Sequence, residues 1–254
     1  MLRKIDYSYY YKKWHKDTPG HIEEMKRYFK RILSKYLPID RNISILDIGC
    51  GMGFTMLALQ DLGYYNIEGI EIDKEQCRSC WNKNLKVTHV DDSTDYLKKR
   101  PENYDLILCL DLIEHIPLIE QIDFLSMVFF SLKPKGKIIC TVPNANSVLA
   151  CRWRYNDWTH HISFTEYSLD FLLYSCGFRN IQIFEVEFLE FPKFDQLFSK
   201  RIFKKWFWKW ILQCIFFCLV RTFRRIEMIA ELGWDEGKKV PLSLNLFAIA
   251  EKPL

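Results

Sequence analysis

The run Ile43-Ser-Ile-Leu-Asp-Ile48 is apolar enough for a buried strand, and it passes directly into glycines at 49, 51 and 53. A strand closing on alternate glycines ahead of a new apolar stretch reads as a strand–turn–helix crossover, the opening unit of a parallel α/β sheet. With no side chain at those three positions, the main chain is open to a flat or extended ligand. One short segment thus sets the fold class and points to a nucleotide-like ligand at the turn.

The spacing narrows that ligand further. A dinucleotide fingerprint carries its third glycine three residues after the second, and here that place is held by Phe54. Asp47, just before the turn, would repel a pyrophosphate, yet it suits the ammonium end of an amino acid, directly or through water. NAD is disfavoured, and a ligand bearing positive charge is favoured.

Further motifs follow in order. Gly69-Ile-Glu-Ile-Asp73 closes a second strand and sets Glu71 at about the distance from Gly49 at which an acid meets ribose hydroxyls. A third strand, about Lys86 to Val90, ends in Asp91-Asp92-Ser93. The fourth, Tyr104 to Asp111, is nearly all apolar, as a strand buried on both faces should be, and runs into Leu112-Ile-Glu-His-Ile116. A helix from about Ile119 to Ser131 precedes Leu132-Lys-Pro-Lys-Gly136 and a strand ending Thr141-Val-Pro-Asn144.

Taken together, these pieces resemble the class I S-adenosylmethionine (SAM) methyltransferases over roughly residues 40–180. The string Leu-Asp-Leu-Ile-Glu-His-Ile with Leu-Lys-Pro-x-Gly and Val-Pro-Asn is similar to the ubiquinone-biosynthesis O-methyltransferase branch. The resemblance implies an α/β, Rossmann-like seven-stranded sheet with its last strand antiparallel, and SAM as cofactor. It places Asp47, Gly49, Cys50, Gly51 and Gly53 at the glycine turn and assigns the ribose diol to Glu71. Asp91 or Asp92, with Asp92 preferred, accepts from the adenine amino group. Ile72, Ser93 and Leu110 complete the cofactor set. Glu71 and Asp91 also have a purely local alternative, as helix caps.

At 254 residues, with 49% hydrophobic and 16% aromatic residues, the chain can bury one large core with an elaboration. The expected organisation is a helical N-terminal cover over residues 1–39 and a catalytic domain over 40–254, with a basic aromatic helical insertion over 190–236. Within the cover, Thr18 to Lys35 repeats Met25, Tyr28, Phe29, Ile32 and Leu33 on one helical face. Such a helix either covers the cofactor cleft, lined by Tyr7 to Tyr11 and Trp14, or packs on the sheet. The nine cysteines lack the pairing of a disulfide framework, and Cys109, Cys140, Cys176 and Cys218 sit in apolar patterns. Cys77-Arg-Ser-Cys80 has no second pair to complete a zinc site. No apolar leader opens the sequence, so a cytoplasmic protein is expected.

Acceptor chemistry is expected from two places. Arg152 to Ser168 follows the fifth strand, where loops form the ligand crevice. Its Asp-x-Thr-His and Phe-Thr-x-x-Ser-Leu pieces resemble methyltransferases of bacterial surface-glycan biosynthesis, with Ser168 or Thr165 capping the next helix. A sugar hydroxyl is a weak acid, so His160 is the candidate base and Asp157 its orienting partner. The second place is the turn after strand four, where Asp111, Glu114 and His115 lie together, and His160 or His161 completes a carboxylate–imidazole set for magnesium, manganese or zinc. That pattern is similar to RNA 2'-O-methyltransferases acting on small-RNA ends, with aspartate replacing their first glutamate. Asp111, His115, Asp157 and His160 are therefore the catalytic candidates; Glu114, His115 and His160 are the metal candidates.

Gln196 to Arg225 carries eight basic residues, nine aromatics and no acid. Without it, the 36 Lys and Arg of the chain fall to 28 against 32 Asp and Glu, so this piece supplies the positive balance. Over 200–210, a helix would place Lys200, Arg201, Lys204, Lys205 and Lys209 on one half and Ile202, Phe203, Trp206, Phe207 and Trp210 on the other. Such a helix reads as an interfacial membrane segment, with Arg221, Arg224 and Arg225 at lipid headgroups. Ile211 to Val220 rises only about 15 Å as helix, too short for a hydrocarbon core of about 30 Å. Packing on the core, a dimer interface, or single-stranded nucleic acid are the other uses of such a surface. The final run, Leu242 to Glu251, reads as the last strand.

The expected function is SAM-dependent O-methylation of a surface-glycan intermediate, lipid-linked and met at the inner membrane face. The alternatives are a small-molecule or quinone-precursor O-methyltransferase, a metal-dependent RNA 2'-O-methyltransferase, and a non-catalytic SAM-binding membrane protein.

Overall fold

The computed structural model of the chain describes residue 9, residues 11–186 and residues 205–254. Its described elements run α1 (Pro19–Leu33), β1 (Ile45–Ile48), α2 (Phe54–Asp61), β2 (Ile67–Glu71), α3 (Lys74–Asn82), β3 (Val87–His89), α4 (Ser93–Lys98) and β4 (Tyr104–Leu110). A 3-10 turn (Ile113–His115), α5 (Leu118–Ser131), β5 (Leu132–Pro143), α6 (Ala150–Asn156), α7 (Glu166–Ser175) and β6 (Arg179–Val186) follow. Beyond them come α8 (Lys205–Leu232), α9 (Trp234–Gly237) and β7 (Asn245–Glu251).

The strands form one seven-stranded sheet in the order β3-β2-β1-β4-β5-β7-β6. The pairs from β3 across to β5 are parallel, and β7 runs antiparallel between β5 and β6. This is the expected sheet. The order reverses beside β1 and β4, which opens a crevice at their carboxyl ends, where open α/β sheets bind ligands. Each parallel link crosses over through a helix, and apolar side chains of β1 and β4 bury on both faces.

Two clusters of buried side chains fill the layers. One joins Ile48, Ile107, Leu125, Val128 and Phe178; the other joins Leu33, Met56, Leu59, Leu108 and Phe247. Leu132-Lys-Pro-Lys-Gly136 forms the irregular start of β5, where the register with β4 shifts between Tyr104 and Leu106.

Local capping follows side-chain chemistry more closely than the sequence pattern alone suggests. Thr165 and Ser168 share a reciprocal capping box at the start of α7, so both expected residues take part. The cap of α4 is Asp92, accepting from the amides of Thr94 and Asp95, rather than Asp91. The cap of α3 is Asp73, not Glu71.

Of its two expected uses α1 takes the second, packing on the sheet, and it is the segment ahead of the helix that approaches the glycine turn. Ile32 and Leu33 bury against the sheet, and the segment before the helix reaches the glycine turn through Tyr11. Residues 196–204 of the insertion, including Lys200, Arg201, Ile202, Phe203 and Lys204, lie outside the described residues, as do Tyr7, Ser8 and Tyr10 of the N-terminal aromatic run. Residues 211–220 are not a short helix of their own but the middle of α8, which runs 28 residues. No helix among the described residues is long and apolar enough to cross a membrane. Arg221, Arg224 and Arg225 turn toward the body of the protein: Arg221 faces Glu185 at 3.5 Å, Arg224 donates to the Asn146 carbonyl and Arg225 to that of Gly237. Of the cysteines placed in apolar patterns, Cys109, Cys140 and Cys176 are buried and Cys218 is exposed.

Candidate active site

The glycine turn is built as the sequence requires. Gly49, Gly51 and Gly53 all have positive φ, at 67°, 56° and 80°, a region that costs side-chain-bearing residues strain. Gly53 also has a packing reason: a Cβ there would stand 2.3 Å from Leu85 Cδ1. At Gly51 a Cβ would stand 2.6 Å from the Tyr11 hydroxyl. The N-terminal segment therefore closes over the turn. Asp17 anchors that segment to α3 through Lys83, at 2.7 Å, and the Ser79 hydroxyl, and Trp14 meets Trp153 with ring centroids 6.3 Å apart.

Two buried carboxylates stand behind the turn. Asp47 is 2% exposed and its Oδ2 has no hydrogen-bond partner among the described residues. Burial, reinforced by nearby Glu71, pushes its pKa up to about 8. Glu71 accepts from the Gly51 amide through Oε2 (2.9 Å) and from the amides of Ile72 (2.8 Å) and Asp73 (2.9 Å) through Oε1. Burial raises its pKa, and these three donors oppose the rise. Cys50 packs beneath, buried against Gly69. Asp91, Asp92 and Ser93 lie at the end of β3, with Asp91 and Asp92 exposed, and Leu110 ends β4 on the facing side. An unpartnered buried carboxylate oxygen beside an amide-rich turn is a setting for a cationic ligand group.

Across the crevice the chemistry changes. Asp111 takes a left-handed φ of 49°, and its Oδ1 accepts from Thr141 Oγ1 (2.9 Å) and Asn245 Nδ2 (2.8 Å). Held by β5 and β7 in this way, it stands apart from the histidines. The cluster that does assemble is Glu114, His115 and His160, with one potential ligand atom from each all within 4.8 Å of one another. His160, not His161, closes it; His161 contributes its backbone amide, donated to the Glu114 carbonyl at 2.7 Å. Asp111 thus drops out of the expected ligand set.

Hydrogen bonds fix what the cluster presents. Thr159 Oγ1 donates to Asp157 Oδ1 at 2.6 Å, so it is the acceptor for His115 Nδ1 at 2.7 Å. His160 Nδ1 lies 3.0 Å from the Trp153 carbonyl, which can only accept. Both imidazoles therefore carry their proton on Nδ1 and leave the Nε2 lone pair toward the cluster. Asp157 lies 3.9 Å from His160 Nε2, beyond hydrogen-bond reach. It orients His115 through Thr159 instead of orienting His160, and Thr159 is a site residue that sequence reasoning missed.

Electrostatics match this arrangement. Burial lowers the pKa of His115 to about 4, with neighbouring His160 adding to the effect, and burial lowers His160 as well. Both rings are neutral near pH 7. Glu114 is 1% exposed, its Oε2 has no partner among the described residues, and burial followed by Asp111 pushes its pKa well up. A buried orphan carboxylate oxygen beside two bare imidazole nitrogens fits a divalent cation, whose charge would offset the cost of leaving that oxygen unpaired. Among the described residues Cys77 and Cys80 belong to no metal-ligand cluster: both are buried in α3, and Cys80 Sγ lies 3.1 Å from the Gly51 carbonyl.

Comparison with known proteins agrees with this layout. Residues 21–183 match the methyltransferase domain family. The ubiquinone biosynthesis O-methyltransferase of Rickettsia canadensis is 30% identical over 118 residues, covering 45% of this chain and 48% of the relative. That of Hydrogenovibrio crunogenus is 26% identical over 137 residues, covering 52% of each. The chain thus spans about half the length of the relatives it matches. Among solved structures, a SAM-dependent methyltransferase from Archaeoglobus fulgidus superposes with a TM-score of 0.65 at 23% identity, over 97% of this chain and 100% of that one. With the sheet order and the glycine turn in place, the matched segment covers most of the sequence, and the chain belongs to the methyltransferase domain family.

Proposed function

We propose that this chain transfers the methyl group of SAM to a hydroxyl oxygen of a small acceptor of the phenolic, quinone-precursor type. The observation that carries the reading is the neutral pair His115 and His160, with bare Nε2 atoms beside buried Glu114, across the crevice from the glycine turn. SAM supplies an electrophilic methyl on a sulfonium. What the protein adds is alignment and removal of the acceptor proton. Asp47 receives the ammonium end, Glu71 the ribose hydroxyls, and Asp91 or Asp92 the adenine amino group. His160 Nε2 is the base closest in character to the task, since its ring is held by the Trp153 carbonyl and stays neutral near pH 7.

Alternatively, Glu114, His115 and His160 would hold a divalent cation, which would take up the His160 Nε2 lone pair and replace that ring as the means of deprotonating the acceptor. Such an ion supplies Lewis acidity that lowers the pKa of a coordinated hydroxyl. Phenols ionise far more readily than sugar hydroxyls, so the acceptor class and the weak basicity of the histidines are compatible. The Rickettsia and Hydrogenovibrio relatives are O-methyltransferases of ubiquinone biosynthesis, which supports a phenolic acceptor over the surface-glycan intermediate expected from the motif at 152–168.

The test is incubation with labelled SAM and two acceptor panels, ortho-dihydroxy aromatics and glycan intermediates, each with and without chelator. Mass increase by one methyl on the aromatic panel alone supports the reading. Methylation confined to the glycans overturns the acceptor class, and binding of NAD in place of SAM in calorimetry overturns the whole assignment.

A further inference from the structure

The least expected surface lies outside the crevice, on α8, and it stands independently of the proposed chemistry. Leu212, Ile215, Phe216, Leu219, Phe223 and Ile226 are each half or more exposed, Phe223 by 69%. At 3.6 residues per turn, their spacing of three, one, three, four and three confines them to an arc of about 100°. They form one continuous stripe running about 21 Å along the helix.

The opposite side is the one that docks on the protein. Phe207 and Cys214 are buried there, and Arg221, Arg224 and Arg225 reach inward to Glu185, Asn146 and Gly237. A surface helix normally shows water its charges and turns its apolar stripe inward. α8 does the reverse, and a contiguous apolar patch of this kind marks an interaction surface.

The charges beside the stripe select the partner. Lys209 and Glu227 are both exposed and stand eighteen residues apart, which is five full turns, so they project in the same direction from opposite ends of the stripe. Glu227 accepts from Arg224 through Oε2 at 2.7 Å, which leaves its other oxygen for a second cation. The midpoint of Lys209 and Glu227, residue 218, falls beside the midpoint of the six apolar residues. An antiparallel copy related by a two-fold axis at that level would set each Lys209 against the other Glu227 while the stripes meet between them. A bilayer is less well served. The arginines face the body, and the same flank carries Glu227 and Glu231, which anionic headgroups repel.

We propose that α8 is a self-association surface through which two copies of this chain pack antiparallel, stripe to stripe, with reciprocal Lys209–Glu227 pairs. Sedimentation equilibrium of the full chain over a range of concentrations should give a dimer. Leu219→Lys with Phe223→Lys should leave a folded monomer that still melts cooperatively, at a temperature that no longer depends on protein concentration. Lys209→Glu and Glu227→Lys should each weaken association by about three- to tenfold, and the two together should restore it, because the swapped charges meet again across the two-fold. A monomeric wild type overturns the proposal. So does a dimer indifferent to both stripe and charge variants. Flotation of a monomeric wild type with phosphatidylglycerol vesicles, lost in the Leu219→Lys, Phe223→Lys variant, would assign the stripe to a membrane instead.

Discussion

At the carboxyl ends of β1 and β2 the crevice is faced by backbone amides and carboxylates, while past β4 and β5 it is faced by imidazoles. The first side is made of short runs, residues 47–53 and 69–73, and each ligand-facing group lies close to its own support. The second side joins residues far apart in sequence, and its geometry passes through a chain of side chains: Asp157 to Thr159 to His115, and the Trp153 carbonyl to His160. A cofactor platform can thus be fixed by backbone conformation, whereas a proton-handling cluster depends on groups that set each other's protonation.

Glu114 is where the two sides should separate most. Glu114→Gln keeps the shape and removes the carboxylate that a bound cation would ionise and use as a ligand, so methyl transfer should fall about 10²- to 10³-fold while affinity for S-adenosylhomocysteine changes less than about twofold. Initial rates set beside calorimetry check this, and a parallel loss of cofactor affinity would erase the distinction between the two sides. Chelation should act in the same direction as Glu114→Gln and spare cofactor binding equally.

A smaller effect is expected from Thr159→Val, which frees His115 from the Asp157 relay. Affinity for a divalent cation should drop about tenfold, read by competition with a chromogenic chelator, again with cofactor binding unchanged. On the other side, Asp47→Asn should weaken SAM binding by about tenfold and leave divalent cation binding as it was.

The weakest signal is also the most specific to the cofactor side. The Asp47 carboxyl, raised to about 8 by burial, is mostly protonated in the free protein at pH 7, and an ammonium beside it would ionise it. Cofactor binding at pH 7 should therefore release a proton, seen as a dependence of the calorimetric enthalpy on buffer ionisation heat and lost in Asp47→Asn. The sign for stability follows from the same shift. The folded value lies above the unfolded one, about 3.9, so the folded state holds the proton longer. The stability contributed by this group is full below about pH 4 and is lost as pH rises toward 8. The melting temperature of the free protein should decline across that window more steeply for wild type than for Asp47→Asn.

Legibility from sequence follows the same divide. The sheet, the crossover at the glycines, and the positions of Asp47 and Glu71 were legible because periodicity and glycine conformation are local properties. Glu114, His115 and His160 were legible as the metal candidates, whereas the place of Asp111 was not, since it is near them in sequence yet is drawn away by Thr141 and Asn245 from two other strands. Thr159 was invisible because a threonine in a loop carries no signal until its two partners are known. The exchange of capping between neighbouring aspartates, 91 for 92, turns on a one-residue shift in where the helix starts. On α8, helical character could be read but not which side docks, because the inward anchors are arginines reaching a glutamate and backbone carbonyls.

Val186, the last residue of β6, pairs with Asn245, the first of β7, so the chain departs from the sheet and returns to it at a single rung. Asn144 secures the return by donating to the carbonyls of Pro241 and Ser243. Everything between those rungs is, topologically, the tip of a hairpin, and lengthening such a tip costs only about 0.6 kcal/mol for each doubling. On that account the length of the excursion is separable from the integrity of the sheet. Replacing it with a short linker that keeps Pro241 to Ser243 for Asn144 should leave a folded sheet without the self-association face proposed for α8.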